Sequence, residues 1–273
     1  MAAMPHTAIR AWATIPALTR HGTWFPGRVI GGAALVLGPV AWTVALLLRY
    51  LALRAGPFTA AQMDWFDRQE FAAASQLAAY QASPALALAG QACFAAGALL
   101  LCPAYITLAR LIAPRCPQLA AWGGTLTVLG LFARLYFAGV DQTAFQLADA
   151  HGAQAAMRFV SSSYVDISYG PWYVPVLASA CQYPGMLVLA IGAYRSATFG
   201  LARGLLLLMA GTLWGGVLKA ADLADVLWYA GLCLALMPLG VRVLRGTLPG
   251  APADPLPGRT ITPPPRRLRL LSW

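Results

Sequence analysis

The sequence predicts an all-α polytopic membrane protein with six transmembrane helices and an amphipathic helix on its outer surface. Three observations carry that expectation. Hydrophobic residues make up 59 % of the 273-residue chain and charged residues only 10 %, with a mean hydropathy of +0.64. A soluble domain carries about 25 % charged residues and could not keep such a surface in water. Six apolar stretches approach the roughly 20 residues that cross a bilayer core. Basic residues gather in alternate connections between them.

In chain order the spans are Val29–Leu51, Pro84–Ile112, Leu119–Val140, Trp172–Tyr194, Gly204–Ala221 and Val226–Leu244. The fifth is the shortest, bounded by Arg203 and Lys219, whose long side chains can snorkel to a surface. Residues 1–28 hold no apolar segment followed by a small-residue cleavage site, so the first span is expected to act as its own insertion signal. The chain thus divides into an N-terminal tail over 1–28, a six-helix domain over 29–245 and a basic tail over 246–273. Seven prolines in that last segment favour extended chain. Its terminal Arg266, Arg267 and Arg269 have the charge to touch anionic inner-leaflet lipid.

Orientation follows from charge. One set of connections and tails, which includes Arg28, Arg110, Arg115, Arg195, Arg203, Arg242 and Arg245, holds 13 of the 19 basic residues and only Asp254 among the acidic ones. The other holds Arg49, Arg54, Arg68, Arg134, Arg158 and Lys219 with eight acidic residues. The positive-inside rule then places both termini in the cytoplasm and the protein in the cytoplasmic membrane. The same split accounts for the net charge of +10, so nucleic acid is not a needed partner; the bilayer is. Trp122 and Tyr194 mark inner ends of spans, and Tyr50, Tyr136, Trp172, Tyr173, Trp228 and Tyr229 mark outer ends, as aromatic belts do.

Several chemistries find no foothold. Cys93, Cys102, Cys116, Cys181 and Cys233 show no C-x-x-C or Cys/His spacing, so neither disulfides nor a metal site is expected. No P-loop, dinucleotide fingerprint or H-E-x-x-H motif occurs, and no cofactor is implied. Asp149, His151, Ser161 to Ser163 and Asp166 contain the residue types of a hydrolase triad but lack a G-x-S-x-G elbow. The cytoplasmic connections over 113–118 and 195–203 are too short for a soluble catalytic domain. Gly211 and Gly215 form a G-x-x-x-G pair, read as packing inside the bundle ahead of a homodimer seam.

Two outer connections are longer. In the first, over 52–83, Thr59 and Gln62 match a capping box, and Met63, Phe66, Ala73, Leu77 and Tyr80 recur at helical spacing. A helix of about five turns on the bilayer surface or over the helix ends is expected, with Asp64 and Arg68 paired on another face. The second, over 141–171, reads as a polar loop.

Polar residues within the spans are the most informative feature, because intramembrane charge is expensive. Arg134 lies about one and a half turns inside the outer end of the third span, and Asp141 follows on nearly the same face roughly 10 Å further on. Lys219, Asp222 and Asp225 recur at i,i+3 spacing at the end of the fifth span. Gln91 and Gln182 lie deeper, the latter beside Pro184-Gly185, where a kink is expected. One reading is an outward-facing ligand-binding pocket formed by Arg134, Asp141, Gln142, Lys219 and Asp222, with Gln182 at its floor. The other is that these side chains end their helices in the headgroup region and pair there for stability.

The stretch from Ala133-Arg134 through Asp141-Gln142 to Asp149, together with Leu187 to Arg195, resembles uncharacterised six-span membrane proteins of high-GC actinobacteria over roughly residues 29–245. The resemblance implies the six-span fold and no activity. Three function classes stay open: a binding protein with an outer polar site for a small polar or lipid-like ligand; an enzyme acting on a lipid or isoprenoid-like substrate through an aspartic acid; and a transporter or permease subunit.

Overall fold

The computed structural model describes residues 25–69, 72–163, 171, 173–212 and 222–247; among these there are helices and no strand. Five helical stretches are long and apolar enough to cross a membrane: α1 (Gly27–Ala55), α4 (Pro84–Ile112), α5 (Pro117–His151), the consecutive α7 (Tyr173–Ala180) and α8 (Gln182–Arg195), and α10 (Leu223–Arg245). A shorter apolar helix, α9 (Leu201–Thr212), stands where the fifth span was expected. Residues 213–221, with Gly215 and Lys219, lie outside the described residues, as do Trp172 and most of both tails.

The apolar helices close a ring. Each packs on its neighbours in the order α1, α4, α5, α8, α9, α10, and α10 returns to α1. Small residues set the closest approaches. A methyl at Gly130 of α5 would stand 2.6 Å from Cβ and 2.8 Å from the backbone nitrogen of Gln182, and one at Gly185 of α8 would stand 2.5 Å from the backbone nitrogen of Thr127. These two positions bring the α5 and α8 backbones together, as small residues do between helices in lipid. Leu35, Leu101, Leu108, Leu131, Leu189, Leu232 and Leu236 fill the interior with no measurable exposure.

Proline shapes the helices differently by context. Pro39 and Pro103 stay inside α1 and α4, and the hydroxyls of Thr43 and Thr107 donate to the Pro39 and Pro103 carbonyls at 2.8 and 2.7 Å. The fourth span instead breaks at Cys181, one turn before the expected kink. Pro184 has no N–H for the Ala180 carbonyl, four residues earlier, so the helix loses its bond there.

Both outer connections differ from expectation. Residues 60–82 form two helices, α2 (Ala60–Asp67) and α3 (Ala73–Ala82), rather than one. The capping box at Thr59 and Gln62 is present, and Asp64 and Arg68 lie 4.0 Å apart with both side chains exposed. α2 buries nothing. α3 is enclosed along most of its length, with Ala73, Leu77, Ala79 and Tyr80 buried, and packs on α1, α4, α5 and the later α6 (Ala153–Ser163). The second connection is not a loop at its start. α5 runs on to His151, and α6 (Ala153–Ser163) follows after Gly152, whose φ of +83° suits glycine. Beyond Asp141 the buried face continues as Ala144, Phe145 and Ala148, the 3.6-residue periodicity of a helix packed on α3 and α6. The side chains of Ser161 to Ser163, and Asp166, lie outside the described residues.

Overpacking the α5–α8 contact should be costly. Gly130→Ala is expected to destabilise the protein by about 1–3 kcal/mol, whereas Gly139→Ala, four residues before Thr143 on the same helix and with open space around it, should be neutral or stabilise by up to about 1 kcal/mol. Denaturant unfolding in mixed micelles checks both; equal effects would show that the contact is not close.

Candidate functional site

Polar side chains from five apolar helices gather in the half of the ring that holds the end of α1 and the start of α4, in two layers. The upper layer joins α1, α4 and α5. Arg49 donates to the Gln91 amide oxygen at 2.5 Å and to the Asp141 carboxylate at 3.1 Å. Gln91 turns its amide nitrogen to the Ala138 carbonyl at 2.8 Å. Arg49 is 6 % exposed and Asp141 2 %, so this is an ion pair held out of water. Its guanidinium carbon also lies 4.7 Å over the Phe94 ring, a cation–π contact that desolvation strengthens.

The lower layer is two turns deeper on α5. Arg134, 2 % exposed, donates from Nε to the Gln182 amide oxygen at 3.0 Å. Gln182 is the first residue of α8, so the break in the fourth span places this amide there. Tyr229 of α10 lies within electrostatic reach of Arg134, Asp225 and Tyr183. Aromatic rings wall this level: Trp42 stacks on Phe94, meets Tyr229 edge-on, and donates from its indole nitrogen to the Phe94 carbonyl at 2.9 Å. Tyr229, expected in an interfacial belt, is therefore part of the bundle interior.

The helical registers explain the placement. On α1 the buried stripe runs Gly31, Leu35, Gly38, Trp42, Ala45, Arg49, Ala52; on α5 it runs Gly123, Thr127, Gly130, Arg134, Phe137, Asp141, Ala144, Ala148. Both alternate steps of four and three, so the charges sit on the faces that pack inward. Above them α3, α6 and the end of α5 form an apolar cap. Tyr80 stacks on Phe145 with ring centroids 4.4 Å apart and donates its hydroxyl to Asp149 at 2.6 Å. That hydrogen bond, with burial and the Asp149 charge, raises the Tyr80 hydroxyl above its ordinary pKa.

Of the six residues expected in the pocket, the structure buries Arg134, Asp141 and Gln182 in the same half of the bundle. Gln142 is half-buried beside Asp141. Asp222 is exposed at the start of α10, where its N–H donates to the Asp225 carboxylate at 3.4 Å, so it serves the helix end. Lys219 lies outside the described residues. Sequence reasoning assigned Arg49 to a helix end, yet it is the direct partner of Asp141. The available signal was its register, seven residues beyond Trp42 and three before Ala52. Asp149, considered for a triad, is the acceptor for Tyr80. Among the described residues no group of His, Cys, Asp or Glu could hold a metal ion.

The ion pair lends itself to a double-mutant cycle. Arg49→Gln or Asp141→Asn alone should cost about 3–5 kcal/mol, because each leaves a buried charge uncompensated, and the double variant should cost less than the sum. Additive losses in thermal or denaturant unfolding would mean that the two side chains do not interact.

Comparison with family models, curated proteins and solved structures returns no match for this chain, and its function is read from the site itself.

Proposed function

We propose that the chain is a six-span protein of the cytoplasmic membrane, with both termini cytoplasmic, whose outer-half polar cluster binds a small polar or lipid-like ligand. The sixth span is the expected Gly204–Ala221 segment, of which residues 213–221 lie outside the described residues. Its support is geometric: α9 starts at the same end of the ring as α8 finishes, and α10 starts at the other. The segment 201–222 is long enough in sequence to cross a bilayer core. The orientation rests on the arginine split between the two ends. A reporter active only in the cytoplasm should work when fused after Trp273, and one active only outside should work when inserted near Gly152; the reverse pattern would overturn the topology.

The ligand reading is carried by one observation: two arginines, an aspartate and two glutamines from four helices are buried together inside an otherwise apolar bundle. Charges at such depth cost on the order of 2–3 kcal/mol each on insertion scales, more than helix packing alone requires. Within the cluster the roles divide. Arg49, Gln91 and Asp141 bind one another and frame the site. Arg134 and Gln182 face the ligand, with Gln142 and Asp222 towards the mouth; Lys219, also expected in the pocket from the sequence, lies outside the described residues. Since α3 covers the outer end, entry from that side requires α3 to lift. An ion-paired Asp141 is held as an acceptor, which weakens the reading of it as an enzymatic acid. A transporter reading draws on the broken fourth span, since transporters bind substrate at interrupted helices.

Native mass spectrometry after extraction in a mild detergent tests the site. The wild-type protein should retain a bound small molecule or lipid that Arg134→Met with Gln182→Leu loses and the exposed-surface control Arg54→Gln keeps. If all three carry the same species, or the wild type carries none while the double variant is at least as heat-stable, the cluster is a structural clamp and the proposal falls.

A further inference from the structure

The cap helix α3 buries three polar side chains, and two of them are accounted for within the fold. Ser75 donates its hydroxyl to the Ala72 carbonyl at 2.9 Å, and Tyr80 donates to Asp149 at 2.6 Å. The third is Gln76, 5 % exposed, whose amide nitrogen is shut off from solvent and has no hydrogen-bond partner. A buried donor without an acceptor carries the full desolvation penalty of the group. Methionine or leucine would fill the same space without that penalty, in a helix whose other buried positions are mostly alanine and leucine. The amide therefore calls for an explanation beyond packing.

Its place on α3 says where an acceptor would sit. Ala73, Gln76 and Tyr80 follow one another by three and four residues, so Gln76 shares the stripe that packs inward. Ala73, Leu77 and Tyr80 belong to one apolar cluster with Ala87 of α4 and Phe137, Ala144 and Phe145 of α5. The same helix packs on α1. Ala87 is one helical turn from Gln91, and Phe137 and Ala144 are one turn to either side of Asp141. The inward face of α3 thus rests next to the layer in which Arg49, Gln91 and Asp141 bind one another. From Ala73 to Ala82 the helix has no charged side chain, and Arg49 is already engaged by Gln91 and Asp141. A further charge at this level would be uncompensated. A hydroxyl or ester oxygen would not.

We propose that Gln76 is a ligand-binding residue carried by the lid. With α3 closed, its amide N–H donates to an uncharged oxygen of the bound molecule, a hydroxyl or an ester carbonyl, supplied by an acylglycerol lipid or by a free polyol. Occupancy then stabilises the closed position that the Tyr80–Asp149 hydrogen bond also favours. The inference rests on the reading of the polar cluster as a ligand site, and adds the class of group that lies under α3.

The test uses the full chain in an uncharged detergent, followed by thermal unfolding and by backbone hydrogen exchange over residues 73–82, with monooleoylglycerol or glycerol as probe. Before a probe is added, Gln76→Met and Gln76→Leu should melt at or above the wild-type temperature, because each removes an unpaired buried donor. A probe should slow exchange across α3 in the wild type by about three- to tenfold, which is what one hydrogen bond contributes. Both variants should lose that slowing. Gln81→Leu, at an exposed position of the same helix, should respond as the wild type does. A response to monooleoylglycerol alone supports the site with a lipid as the source, and a response to glycerol supports it with a free polyol. Lower melting temperatures in both Gln76 variants would show that the fold itself satisfies the amide, and would overturn the proposal. So would an equal response in wild type and variants, or no response of the wild type to either probe. Arg134→Met with Gln182→Leu separates the two readings. If that pair abolishes the response while the Gln76 variants keep it, the role of Gln76 falls and the cluster stands. If it keeps a response that the Gln76 variants lose, Gln76 stands and the cluster is a structural clamp.

Discussion

The buried pairing of Arg49 with Asp141 is the constraint to which the polar half of the bundle answers. Neither charge can be left alone at that depth, so the α1 and α5 registers must match, although α4 lies between those helices in the ring. Gln91 closes the gap from α4 by accepting from Arg49 and donating to the Ala138 carbonyl. Such a network contributes little net stability, since desolvation offsets much of the Coulomb attraction. Its consequence is specificity: a slip of one residue on any of the three helices would strand a charge in hydrocarbon.

Backbone irregularity and small residues make room for the second arginine. The break at Cys181 lets Gln182 begin a new helix at the level of Arg134. Gly130, one turn below Arg134, removes the side chain that would hold α8 away. The hydrogen bond between Arg134 and Gln182 therefore depends on a missing proline N–H and a missing glycine side chain as much as on its own polar atoms. The cap of α3, α6 and the end of α5 then covers both layers with apolar side chains, which lowers the local dielectric and strengthens each charged contact beneath it.

The two ends of the molecule meet charge differently. At one end, cations and carboxylates are interleaved and satisfy one another within the fold. At the other, the charged side chains among the described residues are arginines. That asymmetry is the physical form of the uneven basic-residue count.

Much of this was legible in the chain. Composition and apolar length determine a helical membrane protein, because a bilayer core accepts a backbone only when its hydrogen bonds are satisfied internally. The Thr59 capping box was readable because its two partners are three residues apart. Arg134, Asp141 and Gln182 stood out because polar groups within apolar runs are rare. What the sequence alone left open were relations across the bundle. Arg134 and Asp141 share a face of α5, and periodicity says so, but nothing local says that α1 faces the aspartate and α8 the arginine. The polar stretch after Asp141 looked like a loop because its buried Ala144, Phe145 and Ala148 acquire meaning only when α3 and α6 pack on them. The split of residues 60–82 into one exposed helix and one enclosed helix is likewise a matter of neighbours. Hydropathy and local hydrogen bonding act over a few residues and are written in the sequence; the pairing of buried charges acts between segments 42 to 92 residues apart, and only the tertiary structure decides it.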